Sequence, residues 1–441
     1  MISFAQSYIF SPIVRRIWSD SATLQRWLDV ESALAEAQAE VGMIPVEAAA
    51  QIRGCARADR FNLVELSDAI AVAQHPLTPV LKEFVKLCGE PGGGWIHWGA
   101  TTQNILDTAQ SVQMAATAGI LSVDLNRLIE RLRELANEHS GSLQAGRTHG
   151  QHALPITFGF KVSGWITEFE RHAARLTLLR DLAFVVRLGG AVGSYAAMGG
   201  RGREVERIVA RILDLPVAGI GGRSDGDRQA EYVSFLGMLA GTCEKVATDL
   251  LFMQRTEIAE LEEHHYVGRA GSSTMAQKRN PQEAQRVIML ARMTRSRVPL
   301  ALEAMVRQDE GDAVPAHVMD YSLPETSIFG ASMLQALFAL FVHLKVRPAR
   351  MEQTLRSSGG LIMAEAVVMA LGESLGRDRA HHLVQQAARA TVEKDSDFVL
   401  ELRERAAKEG IPAEKIENGL FDPRAYLGEI DAIVREVANR R

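Results

Sequence analysis

Apolar residues in this chain recur three and four positions apart far more often than they alternate, and that period predicts helices. Segment 21–42 shows it most cleanly. Leu24, Trp27, Leu28, Leu34, Ala37 and Val41 fall at helical spacing, Ser21 can cap the start, and Gly42 and Pro45 close the segment. Segments 112–138, 228–263, 282–306 and 327–346 continue the pattern, with only Gly237 and Gly241 inside 228–263. Helices this long exceed the usual globular length and are too apolar to stand in solvent. They are expected to bundle and to bury some faces against other subunits. Convincing strands are scarce, and the glycine clusters at 188–202 and 219–226 read as loops. Gly359-Gly360 sets off a last, small helical portion. The expected organisation is an all-α chain in three portions: an N-terminal helical domain at 1–110, a central long-helix bundle at 111–355, and a small helical domain at 356–441.

Composition narrows the class. The chain has 441 residues, 47% of them hydrophobic, so it can bury a large core in more than one structural unit. A net charge of −5 gives no electrostatic case for nucleic acid or an anionic membrane. No uninterrupted apolar stretch reads as long enough to span a bilayer. Cys55, Cys88 and Cys243 lie far apart and fit reduced thiols. The opening Met1-Ile2-Ser3-Phe4-Ala5-Gln6 has no basic region followed by an apolar run, so the expected location is cytoplasmic.

Three polar segments could carry chemistry. In Gly99-Ala100-Thr101-Thr102-Gln103-Asn104, two threonines after a glycine supply hydroxyl and backbone donors for a carboxylate. A helix N-cap explains the same residues equally well. In Gly146-Arg147-Thr148-His149-Gly150-Gln151-His152, histidine suits proton transfer near neutral pH, although a structural histidine fits too. His149 and His152 lack an apparent third ligand, so no metal is expected. The run Gly271-Ser272-Ser273-Thr274-Met275-Ala276-Gln277-Lys278-Arg279-Asn280-Pro281 is too polar for core and reads as a loop. Serine is a poor base unless cations, backbone N–H groups or a helix dipole stabilise its alkoxide, and Lys278 could provide part of that. A solvated loop with a surface lysine is the plainer alternative.

Together the three segments, in this order, resemble the signature motifs of the fumarase/aspartase superfamily, whose members cleave C–N or C–O bonds and usually release fumarate. The resemblance covers nearly the whole chain. It implies a long-helix bundle whose central helices build a homotetramer, with each active site shared between subunits and no cofactor. It also implies roles. Ser272 is the general base. Lys278 and Asn280 stabilise an aci-carboxylate, with Ser273 and Met275 lining the same pocket. His149 handles a proton beside Thr148, and Thr101, Thr102 and Gln151 contact carboxylates of a di- or tricarboxylate substrate. The Glu-Arg pair usual downstream of the signature is displaced here, and Arg307 either binds a carboxylate or sits on a solvated helix end. Asn104 departs from the acid common in the family. Ile17-Trp18-Ser19-Asp20 and Thr157-Phe158-Gly159 resemble both the adenylosuccinate lyase and the 3-carboxy-cis,cis-muconate cycloisomerase branches. His97-Trp98-Gly99 leans to the cycloisomerase, and Arg147-Thr148-His149-Gly150 leans away from it. An Arg-Tyr pair usual in adenylosuccinate lyases is replaced by Ser7-Tyr8, and Gln74-His75 stands where they carry histidine and aspartate. The expected function is β-elimination of a succinyl-type substrate, with nitrogen favoured over oxygen as the leaving atom. The cycloisomerase and adenylosuccinate lyase are the alternatives, and a catalytically silent crystallin-like protein is a third.

Overall fold

The long periodic segments are largely helical, and 70% of the described residues lie in helices. The computed structural model describes residues 8–220, 223–264 and 274–440. Before the first polar motif come α1 (Pro12–Ile17), α2 (Asp20–Glu40), α3 (Val46–Cys55), α4 (Leu63–Ala73) and α5 (Leu77–Cys88). The middle of the chain holds α6 (Thr102–Glu138), the strands β1 (Leu143–Thr148) and β2 (Gln151–Thr157), α7 (Phe158–Ala183), α8 (Gly202–Leu213) and α9 (Asp227–Met253). After them come β3 (Leu261–Glu262), α10 (Gln282–Arg295), α11 (Val298–Glu303), α12 (Ala313–Val342) and β4 (Lys345–Val346). The tail is α13 (Pro348–Arg356), α14 (Ala364–Leu375), α15 (Arg377–Lys394), α16 (Phe398–Lys408) and α17 (Ile430–Ala438).

Spatially the chain forms two compact units. One comprises Met1–Leu125, Arg171–Lys245 and Arg286–Leu337; the other comprises Asn126–Glu170, Val246–Gln285 and Phe338–Arg441. In the first, Phe184 packs edge-on against the fully buried Tyr232, with ring centroids 5.6 Å apart. In the second, Phe158 meets Trp165 edge-on at 6.2 Å, and Trp165 meets Phe341 at a tilt at 5.8 Å. The tail of the second unit buries Val367, Leu383, Phe398 and Leu402 in a cluster of its own. It begins where Gly359 and Gly360 take φ of 57° and 89°, a conformation that favours glycine.

Several boundaries differ from the sequence expectation. Ser19, not Ser21, caps α2, its hydroxyl accepting from the Ala22 N–H at 3.3 Å. α6 starts ten residues before 112, at the Thr101-Thr102 pair. α9 stops at Met253, well before 263; the chain turns back so that the Glu260 N–H reaches the Met253 carbonyl at 2.9 Å. The 282–306 segment breaks into α10 and α11, because Pro299 in the first turn of α11 has no N–H and crowds the preceding turn. α12 starts at Ala313, well before 327, runs through Pro324 and ends at Val342. α12 is also long and apolar enough to cross a membrane by length and composition, contrary to the sequence reading. Its most apolar window is 67% buried inside the protein, as a core helix would be.

Candidate active site

The first motif belongs to the first unit and behaves as a helix start. Thr101 directly precedes α6, and Asn104 in the first turn accepts the Thr101 N–H at 3.2 Å and the Gly190 N–H at 3.0 Å. This is the return half of a capping box, made by an amide in the acid's usual role and held by a side chain that is buried; the Asn104 N–H itself goes to the Thr101 carbonyl at 2.9 Å. Removing it strands two backbone donors, so Asn104→Ala is expected to cost about 2 kcal/mol. Asn104→Asp keeps both acceptors and is expected to retain most of the stability. Urea midpoints check this, and an unchanged midpoint for Asn104→Ala would remove the capping assignment.

The Thr102 hydroxyl is free for another partner, and the fold supplies His75. Nδ1 of His75 accepts the N–H groups of Leu77 and Thr78, each at 3.2 Å, at the start of α5. In the neutral ring the proton then sits on Nε2, which donates to Thr102 Oγ1 at 3.3 Å. Sequence reasoning did not place His75 in a site. Its signals were a histidine before Pro76 at a helix start and a place, with Gln74, where adenylosuccinate lyases carry histidine and aspartate; its partner lies 27 residues away. Upstream of Thr101, His97 (φ 64°) pairs through Nδ1 with the buried Glu31 at 2.6 Å, fixing the approach to the motif.

Arg307, in the same unit, turns its donors inward. Its guanidinium reaches the carbonyls of Ala304 at 3.2 Å and Arg223 at 3.0 Å, and Gln229 Oε1 at 3.1 Å. Burial lowers its pKa. Gln229 passes the network to Gln110 at 2.7 Å, and Gln110 to Asp320 at 2.5 Å. Burial, with the Asp107 charge adding, raises the Asp320 carboxyl above the usual range.

The second motif belongs to the second unit and is a β-hairpin, an element the sequence reading did not expect. Thr148 pairs with Gln151, and His149 and Gly150 form the two-residue turn between them. Both turn residues have positive φ, 53° and 78°, as a type I′ hairpin turn requires. Thr148, His149 and Gln151 are therefore brought together at one exposed tip. His152 lies behind the turn, across from Arg147; burial and the Arg147 charge hold its pKa down. Among the described residues no group of three His, Cys, Asp or Glu side chains is placed to hold a metal ion.

Ser272 and Ser273 lie outside the described residues. From Met275 onward the signature segment lines a cleft of about 710 Å³ in the second unit, where Met275, Lys278 and Asn280 come together with Arg255, Glu262 and Arg347. A turn closes Lys278 N–H onto the Met275 carbonyl at 3.0 Å. Glu262 is engaged by both Arg279 and Arg347, which outweigh the opposing effect of its burial and hold its carboxyl below the usual range. The buried Glu263 accepts the N–H groups of Glu283 and Ala284, each at 3.0 Å, at the start of α10. Lys278 has no acidic partner among the described residues, so its charge faces the cleft. Such a cation suits an anion that grows in charge during reaction.

A family model described as Lyase matches residues 10–295, and one described as Adenylosuccinate lyase C-terminus matches 360–437. Two similar proteins are named N-acetyl-S-(2-succino)cysteine lyase. That of Enterococcus italicus is 37% identical over 94% of this chain and 91% of its own length. That of Dickeya dadantii is 35% identical over 97% and 94%. A 3-carboxy-cis,cis-muconate cycloisomerase of Bradyrhizobium diazoefficiens is 36% identical over 96% and 95%. The crystal structure of a fumarate lyase from Mesorhizobium sp. BNC1 superposes with a TM-score of 0.90 at 35% identity, covering 98% of this chain and 99% of that one.

Proposed function

The chain belongs to the fumarase/aspartase superfamily of lyases, and from that premise we propose that it splits an S-succinyl thioether into fumarate and a thiol by β-elimination. Ser272, as the alkoxide, removes a proton from the methylene carbon beside a carboxylate. The electron pair moves onto that carboxylate, giving an aci-carboxylate held by Lys278 and Asn280. The pair returns to form the carbon–carbon double bond as the C–S bond breaks, and sulfur leaves with the bonding pair. His149 supplies the proton that turns the thiolate into thiol. Thr101, Thr102 and Gln151 grip the carboxylates. No cofactor enters, because the substrate's own carboxylate stores the charge.

The sequence alone favours nitrogen as the leaving atom; the two relatives named N-acetyl-S-(2-succino)cysteine lyase carry the choice of sulfur. A thiol, with a pKa of about 8.5, leaves more readily than an amine. A nucleotide leaving group fits poorly here, since Asp309 and Glu310 are exposed beside Arg307 and would repel its phosphate. Incubation with S-(2-succinyl)-N-acetylcysteine is expected to give fumarate and free thiol in equal amounts; thioether left intact would refute the C–S reading. The second reading, cycloisomerisation of 3-carboxy-cis,cis-muconate, draws on the Bradyrhizobium relative and the His97-Trp98-Gly99 run.

The same reading makes the active form a homotetramer with sites shared between chains. Met238, Met305, Val306, Val314 and Tyr321 leave an apolar surface on the first unit, between 41% and 74% exposed, that an assembly would cover. Light scattering is expected to find four chains per particle. A fully active single chain would rule out shared sites.

A further inference from the structure

We propose that Arg147 and Glu260, joined by Gln144, are positioning residues that aim the His149 turn at the substrate. The inference rests on the reading of His149 as the proton donor to the leaving group. His149 sits in a backbone conformation that histidine adopts rarely, on an exposed tip, and its side chain makes no hydrogen bond to the described residues. Its direction is therefore set by the strands beneath it.

Those strands are irregular where they matter. The pairing of β1 with β2 slips between Ala145 and Arg147. Gly146 occupies the slip, where an added Cβ would stand 2.9 Å from the Leu154 carbonyl oxygen and 3.1 Å from Ile156. A bulge of this kind bends the strand end and weakens the ladder that should hold it. The lost constraint is replaced by a buried carboxylate. Arg147 makes a two-pronged bond to Glu260, Nη2 to Oε1 at 2.6 Å and Nη1 to Oε2 at 3.2 Å. Gln144, three residues down the same strand, donates to Oε2 at 3.0 Å. Glu260 is fully buried. It is fixed from behind as well, since its N–H reaches the Met253 carbonyl at 2.9 Å and its carbonyl accepts the Arg347 N–H at 3.0 Å.

Glu260 also directly precedes Leu261 and Glu262, which line the cleft of Lys278 and Asn280. One carboxylate thus ties the base of the histidine turn to the wall of the cation cleft within a single unit. A buried ion pair is weak evidence for stability, because apolar residues often replace one at no loss. A two-pronged pair with a third donor does fix geometry, and a misplacement of about 1 Å at a reacting group can cost on the order of 10²-fold in rate.

The test compares Arg147→Lys, Glu260→Gln and His149→Gln in the full-length protein. Lysine keeps the charge of Arg147 and loses its fork. Arg147→Lys is expected to lower kcat about 10–100-fold, leave KM within about threefold, and barely change the melting temperature. Hydrogen exchange in the 148–152 turn is expected to quicken. Glu260→Gln is expected to act the same way, and if it fails to fold, Arg147→Lys alone decides. Three results would overturn the proposal: a normal kcat in Arg147→Lys beside an impaired His149→Gln, a loss of kcat matched by loss of folded protein, or a loss confined to KM. If His149→Gln is fully active, the reading of His149 fails. The clamp is then judged on exchange alone: a faster turn in Arg147→Lys supports it and an unchanged turn refutes it.

Discussion

Ser272→Ala is expected to lower kcat by about 10²–10⁴-fold, the range over which a positioned general base acts. Proton removal beside a carboxylate is the hard step, because that carbon is a very weak acid. Alanine at 272 leaves no group there to accept the proton, whereas the carboxylate contacts proposed for Thr101, Thr102 and Gln151 are left in place and should hold KM. The expected signature is therefore a loss in kcat with KM changed much less. The loop is polar and lies between glycine and proline, so the melting curve should be unaffected. Steady-state kinetics beside a melting curve checks it, and full activity in the variant would end the assignment of Ser272.

Lys278→Met carries the second large effect, about 10²–10³-fold in kcat, the usual loss when one group facing developing charge is removed. The signature segment holds two adjacent cations, and the structure separates them. Arg279 is engaged with Glu262, while Lys278 has no acidic partner among the described residues and faces the cleft beside Asn280. Of the two, Lys278 is thus the one placed to meet the second negative charge proposed to form on the substrate carboxylate. Arg279→Gln takes an exposed guanidinium from Glu262, which keeps Arg347 as a partner, and is expected to change kcat by no more than about threefold. Comparable losses in both variants would mean that the segment's net charge, rather than the placement of Lys278, matters.

The helical architecture was legible in helix-forming residues and in apolar positions that recur at helical spacing, such as Leu24, Leu28 and Leu34 of α2, even though residues 30–35 of that helix are buried on every side. α2 and the body of α6 were found that way, while the bond that closes the start of α6 comes from the Asn104 amide rather than from the threonine hydroxyls. The hairpin was not readable. Residues 143–157 include Gly146, Gly150 and Pro155, which read as breakers, and the contact that holds them is Arg147 to Glu260, 113 residues away in sequence. The same contact explains the early end of α9. Local propensity would let that helix continue toward 263, but a carboxylate drawn to Arg147 and Gln144 competes with the next helical turn. Of the site, Met275, Lys278 and Asn280 do share a cleft, and Thr148, His149 and Gln151 share a turn. His75 was missed because only the fold brings it to Thr102. The inward-facing network of Arg307 was hidden for a like reason: its acceptors at Arg223 and Gln229 come from another part of the chain.

The most direct test of the account is kcat/KM by fumarate absorbance for S-(2-succinyl)-N-acetylcysteine, adenylosuccinate and other N-substituted aspartates, and malate, with loss of 3-carboxy-cis,cis-muconate followed in parallel. The account predicts fumarate from the thioether, at a kcat/KM at least about tenfold above any nitrogen or oxygen substrate. Fumarate only from an N-substituted aspartate would keep the elimination and replace the leaving atom. Consumption of carboxymuconate with no fumarate from any substrate would contradict the elimination itself.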